Sequence, residues 1–218
     1  MSDLQKASQK AQEFRRREEE ILERAQELFI ARGEDKVTVE MIADAVNIGK
    51  GTIYKHFETK DEIYLRLMIR YEEQLADVFK RLDESDGKDR AQLAKDYFSF
   101  RMKEPEKYAL FDRLEHKLTN QTSCPDLVAK LHEIRAQNLD KLAAAIKSRI
   151  AEGKLENVPP YFHIFAAWAL VHGAVALYHS KFYQEFIEDK DEFFNFLGDI
   201  GIRMGNKRPE KSGSAKDK

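Results

Sequence analysis

A chain of 218 residues, 35% charged and 42% hydrophobic with a net charge of −2, has the composition of a soluble globular protein of one or two domains. Its single cysteine, Cys124, excludes an internal disulfide, and no apolar run reads as long enough to span a membrane. Charged residues scattered through the first twenty positions exclude a signal peptide, so a cytoplasmic location is expected.

Residues 1–14 read as a flexible or helical N-terminal arm. Arg15, Arg16 and Arg17 follow and could reach along a DNA minor groove. Glu18, Glu19 and Glu20 stand at helical spacing to pair with them, and a solvated helix end is the alternative. Ile21, Leu22, Ala25, Leu28 and Phe29 then form an apolar helical stripe that stops at Arg32-Gly33.

Thr38 is a good N-cap, with a hydroxyl placed to accept from the amide of Glu40 or Met41. Val39, Ile42, Ala43 and Val46 give the short helix after it one apolar face, while Glu40 and Asp44 face water. Asn47 tolerates left-handed backbone angles and can end this helix, and Ile48 can plug the turn into the core. A second short helix is predicted over 49–56. Ile48, Ile53 and Phe57 anchor it, which frees Lys50, Gly51, Thr52, Tyr54, Lys55 and His56 from core duties. A glycine inside a helix costs roughly 1 kcal/mol relative to alanine, so close approach of a phosphate or base edge is a physical reason for Gly51. Lys50, Lys55 and Lys60 against Glu58 give residues 49–60 a net charge of +2, whereas residues 1–60 as a whole carry no basic excess. Two short helices around a tight turn, ending in a basic and aromatic segment, form the pattern with which a small domain reads DNA.

Thr59 and Glu62 form a capping box for a longer helix with the stripe Tyr64, Leu67, Met68, Tyr71, Leu75, Val78 and Leu82. Further helices are predicted near 88–104, 106–119, 126–152, 160–183 and 190–205. Pro105, Pro125 and Pro159-Pro160 fall near their starts, and no strand pattern competes. Residues 206–218 read as a disordered tail. The middle helices supply Tyr97, Phe98, Phe100, Met102, Tyr108, Phe111 and Leu114. With Trp168, His172 and Tyr178 from the later helix, these are candidate walls of an apolar pocket for a lipophilic ligand such as an acyl chain or an aromatic compound. Aromatic residues at helical spacing also read as plain core.

The helix over 160–183 is apolar nearly all round. Ala166, Ala169, Gly173 and Ala176 lie on one face and Trp168, Val171, Val175 and Tyr178 on another, so it needs partners on both sides. Phe193, Leu197, Ile200 and Met204 of the next helix could complete a symmetric four-helix interface with a second subunit; a central core helix is the alternative. His116, His132, His163, His172 and His179 show no metal-ligand spacing, Cys124 beside Pro125 lacks a partner motif, and no glycine-rich phosphate loop occurs. Glu115 and His116 are adjacent on a helix and point about 100° apart. Neither a catalytic site, a metal nor a cofactor is expected.

The string GKGTIYKHFETKDEIY, residues 49–64, resembles the recognition-helix signature of the TetR family of bacterial transcriptional regulators, and the resemblance covers roughly residues 15–75. It implies an all-α chain with a helix-turn-helix DNA-binding domain over 15–60 and a helical ligand-binding and dimerisation domain over 61–205. It implies further that Thr38 and Lys60 contact phosphates, that Lys50, Gly51 and Thr52 enter the major groove, and that Tyr54, Lys55 and His56 complete the DNA face. Only Lys50 and Thr52 are candidates for base readout. The implied partners are a near-palindromic double-stranded operator, a second copy of the chain and a small-molecule effector that releases a repressor from DNA, with no membrane. Recognition helices about one helical turn apart, roughly 34 Å, would fit successive major grooves. An architectural DNA-binding dimer without a ligand, and an all-helical enzyme or carrier using the C-terminal cavity, are the alternatives.

Overall fold

The computed structural model describes residues 3–84, 90–118 and 124–207, and among these every regular element is a helix: α1 (Asp3–Arg32), α2 (Val39–Ala45), α3 (Lys50–Ile53), α4 (Lys60–Glu84), α5 (Arg90–Met102), α6 (Pro105–Leu118), α7 (Pro125–Ala151), α8 (Pro160–His179), α9 (Lys181–Gln184) and α10 (Lys190–Arg203). Beyond Lys207 the expected tail lies outside the described residues, as do the side chains of Leu82 and His116.

Two compact units divide the chain. One gathers the residues up to Ala76 together with Glu104–Ala136; the other gathers Asp77–Lys103 with the residues from Gln137 onward. The first unit is therefore larger than the helix-turn-helix segment over 15–60.

In the first unit, α1 takes in most of the expected N-terminal arm as continuous helix. Arg17 pairs with Glu20 at 2.8 Å, one turn on, while Arg15 and Arg16 are exposed. The helix ends at Gly33, whose φ of +83° suits a residue without a side chain. Ile21, Ala25 and Phe29 of α1 are fully buried with Ile42 of α2 and Ile63 of α4 in one apolar core. Helix α6 adds Leu110 and Leu114, and Phe111 stacks 4.5 Å from Tyr71. Thr59 caps α4 by accepting from the Glu62 amide at 3.1 Å. The Glu62 carboxylate returns to accept from the amide of Glu58 at 2.7 Å, one residue before the cap.

Glu34 is a buried carboxylate in the turn after α1. Arg113 of α6 neutralises it, donating from Nε at 3.1 and 3.2 Å to its two oxygens. Next to it Asp35 pairs with Lys117, whose ammonium holds the Asp35 carboxyl below its usual range.

In the second unit, α5, α8 and α10 pack on one another. Gly201 lies flush against Phe98, and a Cβ there would sit 2.0 Å from the ring. A short clasp holds the end of α10: Leu155 bridges Asn206, the Glu156 amide donates to the Gly205 carbonyl at 2.9 Å, and the Lys207 amide donates to Lys154 at 3.1 Å. Asn206 and Lys207, assigned to the tail by their composition, are thus paired backbone.

Helix α8 corrects one expectation. It is 20 residues long and, by length and composition alone, apolar enough to cross a membrane. Ile164, Val171, Ala174 and Val175 turn instead into the core of the second unit. The opposite side leaves Phe162, Phe165 and Trp168 exposed by 62%, 49% and 47%, so this helix is only half covered within one chain.

Candidate nucleic-acid interface

The turn between α2 and α3 is fixed by backbone geometry. Thr38 has extended angles and its Oγ1 accepts from the Met41 amide at 3.3 Å, which caps α2. Asn47 takes a φ of 53°, and the Ile48 amide donates back to the Ala43 carbonyl at 3.0 Å. Helix α3 is shorter than the predicted 49–56: after Ile53 the chain tightens into turns, with the Lys55 amide on Thr52 at 3.1 Å and the His56 amide on Ile53 at 2.9 Å.

Such a short helix has no stability of its own. Ile53 and Phe57, each 1% exposed, pin it to the core formed by α1, α2 and α4. Lys50, Gly51, Tyr54 and Lys55 are consequently exposed, with Thr52 half-buried between them. A Cβ at Gly51 would meet nothing within 4 Å, so the space beside it is open in the chain by itself.

Three of the candidate DNA contacts are engaged within the protein. Lys50 forms an ion pair with Glu40 of α2, which raises the lysine pKa and holds the glutamate below its ordinary value. His56 stacks on Phe14 of α1 with ring centroids 4.0 Å apart. Its Nδ1 is buried without a hydrogen-bond partner, and burial lowers its pKa. Lys60 turns inward: its ammonium donates to the Glu34 carbonyl at 2.6 Å and lies over the Phe29 and Tyr64 rings at 5.8 and 5.4 Å. A phosphate contact would require Lys60 to leave that carbonyl, to which the Tyr64 hydroxyl also donates at 2.9 Å.

Glu40, Phe14 and Glu34 escape a reading by periodicity. Phe14 carries the only early signal, as a lone aromatic in a charged run that shares a helical face with Arg17 and Ile21.

The residues named for an apolar pocket separate. Tyr108, Phe111 and Leu114 belong to the core of the first unit. In the second unit Tyr97 and Phe98 line a cavity of about 120 Å³ between α5, α7, α8 and α10, together with Ile146, Arg149, His163 and Ile164. Met102 is buried and Phe100 half-buried, neither on that cavity. Trp168 and His172 meet edge-on at 4.7 Å, and Tyr178 packs 5.5 Å from Phe194. Ala166, Ala169, Gly173 and Ala176 form an exposed stripe on α8, while on α10 Ile200 is exposed and Phe193 and Leu197 are half-buried, as is Met204 just after it.

A family model described as bacterial regulatory proteins, tetR family, matches residues 21–67, and one described as tetracyclin repressor-like, C-terminal domain, matches residues 91–199. The HTH-type transcriptional regulator TcmR of Streptomyces glaucescens is 40% identical over 52 residues, 24% of this chain and 23% of that regulator's length. Two solved structures share the fold at low identity. PfmR of Thermus thermophilus aligns with a TM-score of 0.66 and 19% identity over 86% of this chain and 99% of that one. A tetR-family regulatory protein of Rhodococcus RHA1 aligns with a TM-score of 0.69 and 16% identity over 88% and 98%. A three-helix head anchoring a short exposed helix, followed by a helical domain matched along its length, makes the chain a member of the TetR family of bacterial transcriptional regulators, DNA-binding proteins built on the helix-turn-helix.

Proposed function

We propose that this chain acts as a homodimeric repressor that holds a near-palindromic operator and is released from it by a small lipophilic ligand. The observation that carries the DNA reading is α3, locked to the core by Ile53 and Phe57 while Lys50, Tyr54 and Lys55 stand clear of it. Lys50 and Thr52 are the base readers in this reading, and Thr38, Tyr54, Lys55 and His56 position the head on phosphates.

Dimerisation is supported by the uncovered side of α8. A stripe of alanines and Gly173 flanked by exposed aromatics suits close packing against a second copy, with α10 alongside. The cavity lined by Tyr97 and Phe98 supports an effector site. A ligand there lowers operator affinity only by preferring the conformation that binds DNA poorly.

The test is selection of genomic DNA fragments by the purified protein, followed by titration of the enriched segment against random DNA. A specific site bound at least about a thousandfold more tightly than random sequence, and lost on Lys50→Ala or Tyr54→Ala, is expected. Absence of preference for any segment at physiological salt would sink the reading.

A further inference from the structure

We infer that the cavity of the second unit is a carboxylate site, and that the ligand it takes is a small monocarboxylic acid with an aromatic or short aliphatic body, held by Arg149. This names the chemistry of the effector and rests on the effector reading above for its consequence on DNA.

Arg149, in the last turn of α7, is a cationic side chain in a wall made otherwise mostly of apolar groups, and no acidic residue lines the cavity. Its Nε is buried without a hydrogen-bond partner, and among the described residues the guanidinium has no ion pair. Folded proteins seldom leave a buried charged donor unanswered, so an acceptor from outside the chain is the natural complement. A guanidinium donates to the two oxygens of a carboxylate side by side. One guanidinium balances one negative charge, whereas a phosphate monoester would bring a second into apolar walls.

The imidazole at the cavity, one of its two other polar side chains with Tyr97, is already committed. His163 contacts the Glu156 carbonyl through Nε2 at 3.0 Å, which makes Nε2 the donor, and its ring lies so close to Gly205 that a Cβ there would fall 2.4 Å from Nδ1. His163 is therefore a wall, and Arg149 is the anchor. Size sets the rest of the ligand. A cavity of about 120 Å³ is slightly smaller than the roughly 150 Å³ apolar cavity known to admit benzene, so the body it holds has about six carbons.

Isothermal titration calorimetry of the intact protein with benzoate and hexanoate, set against benzamide and hexanamide, tests this without any variant. The acids should bind at least about tenfold more tightly than the amides of the same shape. In Arg149→Gln, checked for folding by its thermal transition, that preference should vanish, and Arg149→Lys should restore part of it. Amides binding as tightly as acids, an undiminished preference in Arg149→Gln, or no saturable binding of any of the four at millimolar concentration would overturn the inference. Operator binding is measured in parallel. Acid binding that leaves DNA affinity unchanged upholds the site and removes the effector reading. Release by a neutral lipophilic compound without carboxylate binding does the reverse.

Discussion

The Lys50 ammonium is paired with the Glu40 carboxylate, so the lysine proposed to read a base is held in the free protein by an acid on the preceding helix. Both side chains are about half exposed, and water screens the attraction. In the proposed complex DNA competes for Lys50 against Glu40, and the Glu40 carboxylate adds a negative charge beside the phosphates. Glu40→Gln should therefore tighten operator binding about two- to fivefold at low salt and steepen the dependence of log K on log salt by up to about one unit. Fluorescence anisotropy across a salt series checks both; an unchanged slope would show that Lys50 is not at the DNA.

Stacking beneath Phe14 gives His56 a pH signature. Burial lowers its pKa in the folded state from the ordinary 6.5, so as pH falls below that value the unfolded chain takes up the proton first and stability declines until the folded pKa is passed. Thermal unfolding between pH 7.5 and 5.5 should show this decline, and His56→Gln should flatten it. Phe14→Ala, which uncovers the ring, should also shrink the pH dependence.

Glycines on α10 separate two kinds of close packing. Gly201→Ala would drive a methyl group into the Phe98 ring and should cost about 1–3 kcal/mol, seen as a fall in Tm of about 3–10 °C. Gly198→Ala, whose Cβ would find Met102 and Phe98 at ordinary distances of 3.8 and 3.9 Å, should be neutral or stabilising by up to about 1 kcal/mol.

Arg113→Met would leave the buried Glu34 carboxylate without its cation. The arginine is 47% exposed, so solvent offsets part of the loss, and a destabilisation of about 1–3 kcal/mol is expected in urea titrations. Glu34→Gln combined with Arg113→Met should recover some of that loss, because no buried charge then remains.

On the α8 surface, Ala169→Arg places a long cation in the stripe assigned to the second subunit. Size-exclusion chromatography with light scattering should report a monomer, with operator affinity falling in parallel. A dimer that persists would move the interface elsewhere.

What could be read from the chain alone follows the range of the interactions. The Thr38 cap, the Asn47 turn, the Ile53 and Phe57 anchors and the box between Thr59 and Glu62 all depend on residues within a few positions of each other, and local spacing encodes them. Lys60 on the Glu34 carbonyl, 26 residues away, and Arg113 on the Glu34 carboxylate, 79 residues away, have no such trace. Periodicity says that Tyr108, Phe111 and Leu114 face a core but not which core, and they serve the unit that carries α3. Arg149 reads from the chain as one more basic residue near the end of α7, beside Lys147, and acquires meaning only where four helices form the cavity.

The clasp that ties Gly205, Asn206 and Lys207 to Lys154, Leu155 and Glu156 makes the end of α10 depend on three backbone residues beyond it. Exopeptidase trimming that stops at Lys207 leaves every one of these backbone bonds in place. Two residues further in, Leu155 loses its partner, and the end of α10, where Gly201, Ile202 and Met204 border the cavity, is no longer tethered. Under the function proposed above, cleavage at Gly205 would unlatch the cavity while sparing the helix-turn-helix head, so that operator binding would persist and its response to ligand would be lost.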